Sequence, residues 1–265
     1  MNIAEFLLPG MKKLIVANWK MNPKTRNGAR VLLEAIKANI KGVKFVQVVI
    51  CPPAVWLVDL KTSGAVKLGS QNCHWEASGA FTGELAATML ADAGAEYVIL
   101  GHSERRQYMG ETDEIINLKM KAALKAKLKP ILCVGEAAGE EMGAKVEQQM
   151  TAGLAGLSVN QTKELIVAYE PVWAISSAGG QPCSPDDTLS AGLFIRKTLT
   201  KLYSRFVADK VPVLYGGSVD SQTVTGYIDQ ARMDGVLVGG ASLDAEEFVR
   251  IIKNVIEKDT IAKKQ

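Results

Sequence analysis

Leu165-Ile166-Val167-Ala168-Tyr169-Glu170-Pro171-Val172-Trp173 passes from a short, apolar, partly β-branched run into an acid, a proline and a tryptophan. An unbroken apolar run of this length suits a strand covered on both faces of a parallel sheet better than a turn of helix. Pro171 then ends regular pairing and stiffens the exit. Glu170 therefore stands at the C-terminal end of a strand, under a loop that carries Trp173. A carboxylate sheltered there is placed to act as a general base.

The same kind of run recurs along the whole chain, at residues 14–17, 45–51, 66–70, 97–100, 130–134, 165–169, 211–215 and 235–238. Longer amphipathic stretches separate the runs, and that alternation is the signature of βα units around a parallel sheet. In the last of them Phe248, Ile251, Ile252, Val255 and Ile256 follow the i, i+3, i+4, i+7, i+8 spacing of one buried helical face. Ser242-Leu243-Asp244-Ala245-Glu246 supplies capping residues before it. No Pro/Ser-rich linker or change of composition divides the 265 residues, and no Gly-x-Gly-x-x-Gly follows a strand. Eight strands each followed by a helix close most simply into one (β/α)8 barrel of the α/β class, a fold of about 250 residues, although an open doubly wound sheet shares the local pattern. The barrel is expected over residues 12–258, with residues 1–11 an N-terminal extension and 259–265 a solvated tail.

Composition narrows the function. Hydrophobic residues make up 48% and charged residues 22% of the chain, and no apolar run approaches the length of a membrane span, about 20 residues. The net charge of +3 comes from 31 basic and 28 acidic residues that are scattered, without the basic stripe of a nucleic-acid binder. Cys51, Cys73, Cys133 and Cys183 form no Cys-x-x-Cys pair, and His74 and His102 are the only histidines, so neither a zinc site nor a thioredoxin motif is expected. Reduced thiols, the absence of a basic leader and a cytoplasmic location form one consistent reading.

All strand ends of a barrel open on one face, so polar residues just after different strands converge there. Asn18 and Lys20 follow the first strand, His102, Ser103 and Glu104 the fourth, and Glu170 the sixth. Gly216, Gly217 and Ser218 follow the seventh, and Gly239 and Gly240 the eighth. These residues contain the parts needed to move a proton beside a carbonyl on a phosphorylated substrate. They offer a carboxylate base, an imidazole for neighbouring oxygens, a lysine for developing negative charge, and glycines whose bare N–H groups cradle phosphate.

Asn18-Trp19-Lys20, Gly101-His102-Ser103-Glu104-Arg105-Arg106, Ala168-Tyr169-Glu170-Pro171-Val172-Trp173-Ala174, Tyr215-Gly216-Gly217-Ser218 and Val238-Gly239-Gly240-Ala241-Ser242 together resemble the triosephosphate isomerase family, in order and spacing, from about Lys12 to Glu257. The pattern of a Glu base with a neutral His electrophile under a closing loop is the family's known one. The resemblance implies cofactor-free, metal-free interconversion of dihydroxyacetone phosphate and glyceraldehyde 3-phosphate through an enediolate, in glycolysis and gluconeogenesis. It implies Glu170 as the proton shuttle, His102 at the substrate oxygens, Lys20 as fixed charge, Asn18 as an orienting group and Glu104 as a brace. Phosphate would be held by N–H groups of Ser176, Gly239 and Gly240 together with Ser218. The stretch 71–84, which contains Thr82, resembles the family's dimer loop and implies a homodimer.

The chain departs from the family pattern after Ile175. Ser176-Ser177-Ala178-Gly179-Gly180-Gln181-Pro182-Cys183 stands where the family has Gly-Thr-Gly and a basic residue, and is about two residues longer. The departure predicts altered lid motion. It also keeps open an isomerase of a four-carbon ketose phosphate, of the erythrulose phosphate type, beside a non-catalytic phosphate-binding barrel.

Overall fold

The computed structural model describes residues 12–43, 45–175 and 182–262. Eight strands, β1 (Lys13–Asn18), β2 (Val46–Cys51), β3 (Val66–Ser70), β4 (Tyr97–Leu100), β5 (Lys129–Val134), β6 (Ile166–Tyr169), β7 (Val213–Tyr215) and β8 (Gly235–Val238), pair in parallel and in sequence order. β8 returns to β1 with Leu14 opposite Gly235 and Ala17 opposite Val238, so the sheet closes and has no free edge. The (β/α)8 barrel expected from the sequence is the observed fold.

Alternation along each strand divides the core in two. Leu14, Val16, Val49, Cys51, Ile99, Ile131, Cys133, Ile166, Ala168, Leu214 and Leu237 fill the barrel. Their neighbours Ile15, Ala17, Val48, Ile50, Val98, Leu132 and Val167 face the surrounding helices. Those helices are α1 (Arg26–Asn39), α2 (Ala54–Leu57), α3 (Ala87–Asp92), α4 (Ser103–Met109), α5 (Asp113–Lys125), α6 (Met142–Gly153), α7 (Pro185–Leu202), α8 (Arg205–Lys210) and α9 (Ala245–Ala262). The apolar face read for α9 is its packing face, with Phe248, Ile251, Ile252 and Val255 fully buried. Asp244 caps α9 by accepting from the N–H groups of Glu246 and Glu247. The stretch after β3 forms no regular element between Gln71 and Leu85 beyond a single bridge of His74 to Ala86.

Strand limits differ from the sequence reading by a residue or two, for local reasons. Leu165 gives its N–H to Thr162 and Val211 gives its N–H to Val207, so each closes the preceding helical turn instead of opening a strand. Phe45 accepts from the Lys13 N–H but is 43% exposed, at the rim of the sheet.

Candidate active site

Extending the interior alternation by one step reaches the site. Asn18 continues the series Leu14, Val16, and Glu170 continues Ile166, Ala168, so both side chains enter the mouth of the barrel at the strand ends. The mouth is a cavity of about 330 Å³, lined among others by Asn18, Lys20, His102, Glu170, Ser218 and Gly239. Residues separated by more than 200 positions thus share one chamber, as the sequence reading expected.

Glu170 is 2% exposed. Its backbone N–H pairs with Val134 O at 2.7 Å and fixes the start of the exit loop. One carboxylate oxygen, Oε2, accepts from the Ser103 N–H at 3.2 Å, while Oε1 is buried without a hydrogen-bond partner and lies 3.4 Å from His102 Nε2. One oxygen of the carboxylate is therefore held, and the other, without a hydrogen-bond partner, lies beside the His102 ring.

His102 is the N-cap of α4, and its Nδ1 accepts from the Glu104 N–H at 3.2 Å. A ring nitrogen that accepts carries no proton, so the imidazole's single hydrogen sits on Nε2. Glu104 Oε2, 3.8 Å from Nδ1, does not change this, because that nitrogen is already engaged by a backbone donor. His102 thus lines the chamber with an N–H on Nε2.

Lys20 has a left-handed backbone, φ 50°. Three contacts hold it: its N–H donates to Asn18 Oδ1 at 3.1 Å, its carbonyl accepts from Gln71 Nε2 at 2.8 Å, and its Nζ meets Glu104 Oε1 at 2.5 Å. Glu104 makes this ion pair with Lys20 at the cavity rim. Gln71, whose Nε2 also donates to Cys51 O at 2.9 Å, escaped the sequence reading, because nothing in a loop glutamine announces which carbonyls it will meet.

Ser218 donates both its N–H and its hydroxyl to Ala174 O, at 3.1 and 2.8 Å. Gly239 and Gly240 begin the 3₁₀ turn Gly240–Leu243, closed by Ser242 donating its N–H and hydroxyl to Gly239 O. Ser176 lies outside the described residues, as does the lid stretch 176–181. Thr82 is exposed in the loop after β3 and does not line the cavity.

Glu136, just past β5, was passed over in the sequence and anchors the exit of β6. It accepts from Tyr169 Oη at 3.1 Å and from Trp173 Nε1 at 2.7 Å, and its carbonyl takes the Val172 N–H. The rule that nominated Glu170, a polar residue just beyond a strand end, also fits Glu136. Burial and the neighbouring Glu170 carboxylate push the Cys133 thiol well above its ordinary range, so it packs as an uncharged group.

The family model described as triosephosphate isomerase matches residues 13–255. The chain is 48% identical over 252 residues to the triosephosphate isomerase of Carboxydothermus hydrogenoformans, covering 92% of this chain and 99% of that protein. It is 42% identical to that of Streptococcus mutans, over 91% of this chain and 97% of the relative. Among solved structures, the triosephosphate isomerase of Bartonella henselae superimposes with a TM-score of 0.81 at 33% identity, covering 92% of this chain and 98% of that one. With the family model matching residues 13–255 and full-length relatives at up to 48% identity, the chain belongs to the triosephosphate isomerase family.

Proposed function

We propose that the chain catalyses the interconversion of dihydroxyacetone phosphate and D-glyceraldehyde 3-phosphate, with Glu170 as the base. The observation that carries this reading is the arrangement of Glu170, whose buried Oε1 is unpartnered while Oε2 is tied to the Ser103 N–H, with the His102 Nε2 beside it. Glu170 takes the proton from the carbon next to the carbonyl, and the electron pair moves to oxygen to give an enediolate. His102, donating through Nε2, protonates one oxygen and takes the proton of the other. Glu170 then returns its proton to the adjacent carbon, so atoms and charge balance. Lys20 offsets the developing negative charge, Asn18 orients the oxygens, and Glu104 holds Lys20 in place. The N–H groups of Gly239 and Gly240, with Ser218 and Ser176, are the proposed phosphate partners. The chemistry calls on no metal, and among the described residues no cluster of His, Cys, Asp or Glu is arranged to hold one.

The proposal extends to assembly. Residues 76–85 are exposed on the single chain, with Phe81 and Leu85 each about two-fifths exposed, and His74 stacks on Trp75 at 4.0 Å and packs against Phe81 at 4.5 Å to stiffen the loop. Beneath it the buried Lys119 Nζ joins Asn72 Oδ1 and Glu111 Oε1. A braced loop that presents apolar tips supports a homodimer through residues 71–84, with Thr82 in the contact. Light scattering that finds a fully active monomer would refute it. No helix among the described residues is long and apolar enough to cross a membrane. Cytoplasmic residence is proposed on the four buried free thiols.

The test of the reaction is steady-state turnover of glyceraldehyde 3-phosphate by the wild type and Glu170→Gln, with an erythrulose phosphate in parallel. Loss of a general base is expected to cost on the order of 10³-fold in kcat while phosphate-ligand affinity stays within a small factor. Poor triose turnover with good turnover of the four-carbon sugar would overturn the substrate assignment.

A further inference from the structure

The loop between β7 and the turn at Gly226 is fastened at two points, and the second lies outside the cavity. At the first, Ala174 O takes both donors of Ser218. Three residues on, α9 engages every polar atom of Ser221. The Ser221 N–H donates to Glu247 Oε1 at 2.7 Å and its hydroxyl to Glu247 Oε2 at 3.1 Å, while its carbonyl accepts from Asn254 Nδ2 at 2.7 Å. Arg250, on the same helix, donates Nε and Nη2 to Glu247 Oε2 at 3.0 and 2.8 Å and so fixes the carboxylate. Between the two fastenings Asp220 Oδ1 caps the turn, accepting from the N–H groups of Gln222 and Thr223. Burial works against ionisation of Glu247, yet the Ser221 N–H and the Arg250 guanidinium hold it below the usual carboxylate range, so it is charged throughout the neutral range.

A loop that opens with Gly216-Gly217 has few side chains of its own to set its position, so its anchors set it. The geometry points to Glu247 and Asn254 as positioning residues for the phosphate arm Gly216-Gly217-Ser218, acting through Ser221 and touching no substrate. The inference rests on the reading of that arm as part of the phosphate site. Neither residue lines the cavity, and both reach it through Ser221 and the loop that carries Ser218.

The experiment compares wild type, Glu247→Ala, Glu247→Gln and Asn254→Ala on glyceraldehyde 3-phosphate, on unphosphorylated glyceraldehyde, and for inhibition by inorganic phosphate. Both alanine variants are expected to lose on the order of ten-fold in kcat/KM for the phosphorylated sugar, and similarly in phosphate affinity, since displaced binding groups lose their alignment. Turnover of glyceraldehyde stays at the wild-type level. Glu247→Gln, which keeps an acceptor for the Ser221 N–H, recovers most of the loss. Equal losses on both sugars would mean a general structural role and would overturn the inference, as would variants indistinguishable from wild type. A wild type that neither prefers the phosphorylated sugar nor is inhibited by phosphate would instead overturn the phosphate-site reading, and the inference with it.

Discussion

Glu170 owes its place as much to neighbours without side chains as to its own bonds. A Cβ added at Gly135 would lie 2.0 Å from Glu170 O, and one at Gly216 would lie 2.8 Å from Glu170 Cγ. The first contact is with backbone and leaves no room to yield. The second presses on the Glu170 side chain itself, the proposed base. Gly216→Ala is therefore expected to fold and to tilt the carboxylate, and a displacement approaching 1 Å costs about 10²-fold in kcat. Gly153→Ala in α6 is the matched control, because its added Cβ would meet only Leu132 side-chain carbons at 3.5 Å, an ordinary contact, and Gly153 does not line the cavity. It is expected to stay within about three-fold of wild type. Parallel kinetics of the two variants check the argument, and equal activities would show that Gly216 does not set the position of the base. Lys20 illustrates a different constraint, since its left-handed backbone costs about 1–2 kcal/mol for a residue with a Cβ and persists only because Asn18 and Gln71 hold both of its peptide groups.

Among the elements, the exit of β6 carries the proposed base. Glu170 is followed by Pro171 and the 3₁₀ turn Val172–Ala174, and Glu136 at the end of β5 holds that turn through Trp173 Nε1 and the Val172 N–H. Glu136→Ala would leave the buried Tyr169 hydroxyl without its acceptor, at a cost of about 1–3 kcal/mol. A lowered denaturation midpoint with a fall in kcat is expected, and a variant with unchanged stability would show that Glu136 is dispensable to this exit. Strands such as β4 and β6 were legible because a strand covered on both faces is written as an unbroken apolar run. Their ends were less so, because whether Leu165 or Val211 joins the sheet depends on which carbonyl claims its N–H, and in both cases a preceding helical turn does. The convergence of Asn18, His102 and Glu170 on one cavity was legible for a different reason, since the barrel sends every strand end to one face. Glu136 met that rule and was overlooked, whereas Gln71, Glu247 and Asn254 act through partners 20 to 51 residues away that no local pattern specifies. Lys119 on α5 and Glu111 in the loop before it are buried and paired with each other, a contact that no local pattern in the sequence specifies.

For the molecule as a whole, closure of the sheet between β1 and β8 makes the interior a sealed compartment, and the ionisable groups sealed within or against it set a pH limit on stability. Burial raises the thiols of Cys51 and Cys133, the latter also through Glu170, and raises Cys73 to about 12 from an ordinary 9.0. Burial likewise raises Tyr97, which belongs to the barrel interior, to about 12 from an ordinary 10.0. A group whose value is raised in the folded state favours that state while it stays protonated in both, which holds below the unfolded value. Above pH 9 the unfolded thiols ionise and the folded ones do not, so the unfolded state gains and the native state loses stability as pH climbs towards the folded values. The melting temperature is therefore expected to be level from about pH 7 to 8.5 and to fall steadily above about pH 9. Unfolding at pH 10 is expected to release about three protons per chain from these three thiols alone. Scanning calorimetry in buffers of different ionisation enthalpy measures both quantities on one sample. A melting temperature that stays level to pH 10.5, with no proton release, would mean that these thiols reach solvent in the native barrel and that its interior is not sealed.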